Sequence, residues 1–283
     1  MTPALDHPWL PRAVCTTAGC VRTGADRSSP LVVAARIALA VLLVPGLPLL
    51  AVPMPGRARL QRGCCRAVLR CFGVRIAVSG GPIRNLRGVL VVSGHVSWLD
   101  VFVIGAVLPG SFVARADLIS WPALGLLARI MRIIPIERAS LRRLPGVVAM
   151  VAARLRAGRT VVAFPEGTTW CGQPHPGAGR FYPAMFQAAI DAGRPVQPLR
   201  LTYRRSDGSP STLPAFVGDD TLVSSMRRLI VARRTVAQVH VAALQLPGTD
   251  RRDLAGRCQT AVRDDRGHGH SARADAARGV VSA

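Results

Sequence analysis

The chain has no lysine, so all 37 of its basic residues are arginine. Glutamate is almost as scarce: Glu137 and Glu166 are the only two, beside thirteen aspartates. Such uniformity reads as a coding bias, so a single arginine says little by itself. The formal net charge of +22 is nonetheless physical, and it draws the protein to polyanions: an anionic lipid surface, a nucleic acid or a phosphorylated substrate. Aromatic residues make up only 5% and no nucleic-acid-binding motif is present, so nucleic acid is not an expected partner. The seven cysteines (Cys15, Cys20, Cys64, Cys65, Cys71, Cys171 and Cys258) are odd in number and form no paired C-x-x-C. Neither a disulfide framework nor a zinc site is expected from them, and free thiols in a reducing compartment are the simpler reading. No serine or cysteine sits in a nucleophile-elbow pattern, which disfavours a serine hydrolase.

What is present is apolar. Hydrophobic residues make up 49% of the chain, ample for a buried core. Residues 1–30, with scattered Pro, Gly, Thr and Ser, read as a poorly ordered lead. Residues 31–52 are the most hydrophobic stretch, with Arg36 near its start, placed to snorkel to an interface, and no charge from Ile37 to Val52. The length approaches the ~20 residues that span a bilayer. Pro45, Gly46 and Pro48 interrupt it, so a straight span, a re-entrant hairpin and a buried core helix all stay open. The basic turn that follows (Arg57, Arg59, Arg62, Arg66, Arg70) places itself and the rest of the chain on the cytoplasmic side of the cell membrane. Leu60, Val68, Leu69 and Phe72 recur there at helical spacing, as on a helix lying on an anionic surface. Residues 31–72 are thus expected to be a membrane-associating helical segment.

From residue 73 to 264 the pattern alternates between short strands and helices. Strands are predicted at Val74–Val78, Val89–Ser93, Ser111–Ala114, Ile133–Ile136, Thr160–Phe164, Val196–Leu201 and Gln238–Ala243. Helices are predicted at 98–107, 122–130, 141–156, 182–192, 221–231 and 250–263. The fold class that follows is α/β, a sheet flanked by helices. Residues 265–283 read as a disordered tail.

Three constellations follow predicted strands. His95 stands at the carboxyl edge of one, where ligands of α/β sheets bind, and Asp100 lies five residues on, in the first turn of a helix. A carboxylate there can hold the imidazole Nδ1–H and leave Nε2 to take a proton from a hydroxyl. His270 and Asp275 repeat the spacing in the tail, so spacing alone does not make a site. Phe164-Pro165-Glu166-Gly167-Thr168 comes next: Gly167 permits a tight turn, and Thr168 offers a hydroxyl to a phosphate or glycerol oxygen. The third is Ile136-Glu137-Arg138, whose arginine can grip a phosphate with two parallel hydrogen bonds.

In order and spacing, His95-x4-Asp100, Ile136-x-Arg138, Phe164–Thr168 and Val196-Gln197-Pro198-Leu199 resemble the glycerolipid acyltransferases of the lysophosphatidate (1-acylglycerol-3-phosphate) acyltransferase type, over about residues 70–245. The resemblance implies a mixed sheet of the glycerol-3-phosphate acyltransferase kind, with an N-terminal hydrophobic element seating the site on a membrane. It implies that His95 is the general base and Asp100 its orienting partner. It places Arg138, Glu166, Gly167 and Thr168 around the acceptor and Pro198 near the acyl donor. No metal or cofactor is implied; acyl-CoA or acyl carrier protein is the co-substrate. The expected reaction is acyl transfer to a lysophospholipid, first of all 1-acylglycerol-3-phosphate. The family commonly has Arg after the motif's Thr, where this chain has Thr169, and Lys where it has Arg115. Arg180 is the substitute cation on offer, and a lyso-ornithine lipid is the alternative acceptor. The rival from another class is a non-catalytic basic protein of the membrane surface.

Overall fold

The computed structural model describes residues 11–22, 27–51, 55–82, 87–116, 132–137 and 140–263. The expected helix at 122–130, Arg138 and the tail from 265 lie outside the described residues, as do His270 and Asp275.

All seven predicted strands form one sheet: β1 (Val74–Gly80), β2 (Leu90–Ser93), β3 (Ser111–Arg115), β4 (Ile134–Ile136), β5 (Val161–Ala163), β6 (Val196–Arg205) and β7 (Thr235–Val241), in the order β1-β7-β6-β2-β5-β3-β4. Neighbours from β6 to β4 are parallel; β7 runs antiparallel to β6, and β1 is parallel to β7. The sheet is therefore mixed, as expected. The central strands are continuous apolar runs because both faces are covered. Val91 and Val162 face one hydrophobic cluster, while Leu90, Val92, Val161 and Ala163 face the other. The helices are α1 (Thr17–Cys20), α2 (Pro30–Leu43), α3 (Arg57–Cys71), α4 (Leu99–Val107), α5 (Leu144–Arg156), α6 (Ala184–Ala192), α7 (Leu222–Val231) and α8 (Arg251–Arg263). The first cluster takes in α3 and α4; the second takes in α5, α6 and α8.

The N-terminal part differs from its sequence reading in three ways. Residues 11–22 are not a loose lead. Cys15 is buried in the first cluster, Thr17 Oγ1 donates to the Val217 carbonyl, and the Arg22 amide donates to Thr212 Oγ1. Arg36 does not snorkel: it is 8% exposed and donates to the Ile230 and Ala232 carbonyls at 2.6 and 2.7 Å. A buried guanidinium needs such acceptors, and they dock α2 onto the end of α7. Leu39, Ala40 and Leu43 pack inward beside it, whereas Leu31, Ile37, Val41 and Leu42 stay exposed. Leu69 and Phe72 of the basic turn are core residues, not surface-lying ones. Gln61, Cys65 and Leu69, four apart, form the buried stripe of α3, with Arg59, Arg66 and Arg70 on the exposed side. Beyond α2 the chain continues as a 3-10 helix over Val44–Ala51. Among the described residues no helix is long and apolar enough to cross a membrane.

Candidate active site

Parallel pairing of β2 with β5 builds the site. Val92 is in register with Ala163, and His95 and Glu166 each follow three residues later at the same sheet edge. The Glu166 carboxylate consequently accepts the His95 backbone N–H at 2.7 Å. Burial pushes the Glu166 carboxyl up to about 7, against the opposing pull of the amides of His95 and Gly179. The Phe164 ring lies against the imidazole, centroids 4.1 Å apart and planes 17° from parallel. From the other side, the Trp170 amide donates to the His95 carbonyl at 2.8 Å.

His95 Nδ1 and Asp100 Oδ2 are 2.8 Å apart. Asp100 is fully buried in the first turn of α4, and the same Oδ2 accepts the amides of Val96 (2.7 Å) and Ser97 (2.9 Å). Ser97 answers by accepting the Leu99 amide on its own Oγ at 3.2 Å, a variant of the reciprocal capping box. On Oδ1, Asp100 accepts the Tyr203 hydroxyl at 2.7 Å. Tyr203 is buried, and its own ionisation is pushed well up by burial and by the adjacent carboxylate, so it stays a donor. Three groups thus meet Asp100 at Oδ2 and one at Oδ1, which fixes the ring it holds. His95 is 15% exposed through its side chain, and its Nε2 receives no hydrogen bond from any described residue. A buried, oriented carboxylate behind a partly exposed imidazole is an arrangement that can serve a general base.

The other expected site residues lie at varied distances from this centre. Gly167 has φ +68°, and a Cβ there would stand 2.7 Å from Pro11 Cγ, so the lead segment lies directly over the motif loop. Thr168 is half-buried on the same loop. The Thr169 hydroxyl turns inward and donates to the Phe216 carbonyl at 2.7 Å. Arg180 is exposed, with its guanidinium 5.5 Å above the Tyr182 ring. Tyr182 in turn donates its amide to the Pro165 carbonyl, which sets Arg180 beside the motif loop. Glu137 is paired with Arg143. Pro198 is buried in β6 in register with Val92, three residues below His95, hence about 10 Å down the sheet. The structure does not bring it to His95.

A family model described as Acyltransferase matches residues 75–202. Lyso-ornithine lipid O-acyltransferase of Pseudomonas aeruginosa is 36% identical over 74% of this chain and 79% of that protein. The chain belongs to the acyltransferase family. The acyltransferase is also 33% identical to 1-acyl-sn-glycerol-3-phosphate acyltransferase of Neisseria meningitidis serogroup B, over 65% of this chain and 69% of that one. Its fold is that of the crystal structure of the 1-acyl-sn-glycerophosphate acyltransferase PlsC from Thermotoga maritima, with TM-score 0.51 and 18% identity over 83% of this chain and 95% of that one. Tyr203 falls one residue beyond the span matched by the family model. Its only sequence signal is its phase: Leu199, Leu201 and Tyr203 alternate along β6 toward the cluster that buries α4.

Proposed function

We propose that the enzyme transfers a fatty acyl group from acyl-CoA or acyl carrier protein to the free hydroxyl of a lyso-lipid, with His95 as general base. The observation that supports this most directly is the 2.8 Å contact of His95 with the buried, hydrogen-bonded Asp100. In this reading Asp100 sets the tautomer with Nδ1 protonated. Nε2 takes the hydroxyl proton as the acceptor oxygen attacks the thioester carbonyl, and the carboxylate stabilises the imidazolium that forms. No covalent enzyme intermediate is involved. Glu166 acts on the His95 backbone, and Gly167, Thr168 and Arg180 lie along the loop that would meet the acceptor, with Arg138 its further cation.

The first acceptor is 1-acylglycerol-3-phosphate, giving phosphatidate. A lyso-ornithine lipid is the second, and one observation favours it: Thr169, at the position where the resembling family commonly carries an arginine, is tied to Phe216 and offers no cation. The enzyme works at a membrane in this proposal. The apolar side of α2, with Leu31 83% and Leu42 75% exposed, and the basic side of α3 are the elements that would seat it on an anionic cytoplasmic leaflet.

The test is incubation of membranes carrying the protein with labelled acyl-CoA or acyl carrier protein and a panel of lyso-lipids. Transfer to one or more of them is expected, with at least a ~1000-fold loss in a folded, membrane-bound His95→Ala variant. Full activity of that variant would sink the mechanism. Labelled phosphatidate alone assigns the first acceptor, and labelled ornithine lipid the second.

A further inference from the structure

The lead segment and the loop beyond Thr168 meet at a cluster that the reaction does not use. Cys15, Cys20, Cys171 and His175 each place one donor atom within 4.8 Å of all the others. Cys20 Sγ lies 3.7 Å from His175 Nε2. Cys15 and Cys171 are buried, while Cys20 and His175 are half-buried. None of the three thiols is in a disulfide. Sulfur donors around a tetrahedral zinc ion, with Zn–S about 2.3 Å, stand about 3.8 Å from one another. The cluster is therefore close to the required size and needs only a small contraction.

We propose that Cys15, Cys20, Cys171 and His175 bind one zinc ion in a closed, structural site. Three sulfurs and one imidazole nitrogen fill four tetrahedral positions and leave none open, which is the donor set of a structural rather than a catalytic zinc. The local backbone suits the role. Thr16 accepts the Gly19 amide on its side chain and so starts the single turn of α1, with Cys15 before it and Cys20 at its end. Gly172, at φ +81°, turns the chain between Cys171 and His175. The Trp170 ring lies beside His175, with centroids 6.5 Å apart and planes 26° from parallel. A disulfide would join two of the three thiols and leave one over; zinc engages all three. Three thiolates and a divalent cation leave one negative charge, which a chain of formal charge +22 accommodates readily.

The bound ion would pin the lead segment to the motif loop. Pro11, four residues before Cys15, lies on Gly167, and Trp170, one residue before Cys171, holds the His95 carbonyl. The zinc touches no reacting atom; it braces the loop that carries Glu166 and Thr168. Sequence spacing pointed away from such a site because its halves, Cys15-x4-Cys20 and Cys171-x3-His175, are not a repeated C-x-x-C, and Cys20 and His175 are 155 residues apart.

The experiment is elemental analysis of the full chain, purified in detergent under reducing conditions without chelator. About one zinc ion per chain is expected, falling at least about tenfold in Cys20→Ser and in His175→Ala. His175→Cys should retain the metal, which separates loss of a ligand from loss of the fold. Cobalt substitution should give the absorption of a tetrahedral thiolate complex. Chelation should lower the melting temperature of the wild type and leave the Cys20→Ser, His175→Ala double variant unmoved. A metal-free wild type overturns the proposal, as does a disulfide among the three cysteines in the intact mass, or iron or copper in place of zinc. None of these readouts depends on acyl transfer.

Discussion

The polar cluster at His95 and the thiol cluster at Cys171 share a wall, since Trp170 hydrogen-bonds to His95 on one side and adjoins Cys171 on the other. They differ in how their members are separated along the chain. His95 and Asp100 are five residues apart, and one strand end and one helix turn bring them together. The thiol cluster draws half its donors from a lead segment whose described residues 11–22 form a single helical turn, and half from a loop 155 residues later. The first cluster should therefore respond chiefly in rate when it is broken, the second chiefly in stability.

Asp100→Asn tests the first half of that contrast most severely. An amide can present N–H to His95 Nδ1 and favour the wrong tautomer, so kcat should fall on the order of 1000-fold. A stability loss should accompany it, because the Val96 and Ser97 amides share the altered group. A loss confined to acceptor KM would remove Asp100 from the proton relay. Glu166→Gln probes the neighbouring carboxyl through pH. The folded Glu166 titrates at about 7 against an ordinary 4.5. Between those values the folded protein holds a proton that the unfolded chain has lost, so stability contributed at this group falls as pH rises through the window. The stability difference, wild type minus Glu166→Gln, should drop by on the order of 2 kcal/mol from pH 5 to pH 8 in denaturant titrations. A flat difference would mean that the carboxyl ionises normally. Tyr203→Phe is the mildest break. It removes one hydrogen bond from Asp100 Oδ1 and should cost about 1 kcal/mol in stability and up to about tenfold in kcat, with KM little changed. Unaltered kcat would make Tyr203 a packing residue only.

The seven strands were readable because β-branched runs bounded by Gly, Pro or charge have few other uses. Their ends were less so. β6 continues to Arg205 and β7 begins at Thr235, because each prolongs the other by antiparallel pairing that neither sequence announces. The misread residues are those whose environment comes from elsewhere in the chain. Arg36 looked like a snorkelling cation within an apolar run, but the carbonyls at the end of α7 claim it. Leu69 and Phe72 looked like a surface stripe, but the first hydrophobic cluster claims them.

The sequence by itself determined the strand–helix alternation, the position of His95 at a strand end and the five-residue reach to Asp100, because these follow from local periodicity and a single turn. Tertiary structure decided the rest. Parallel register set Glu166 beside His95, the sheet order delivered Tyr203 to Asp100 across 103 residues, and packing of the lead segment gathered Cys15, Cys20, Cys171 and His175. Local spacing encodes only contacts that short-range geometry can close. Contacts between distant segments depend on which faces must be buried together.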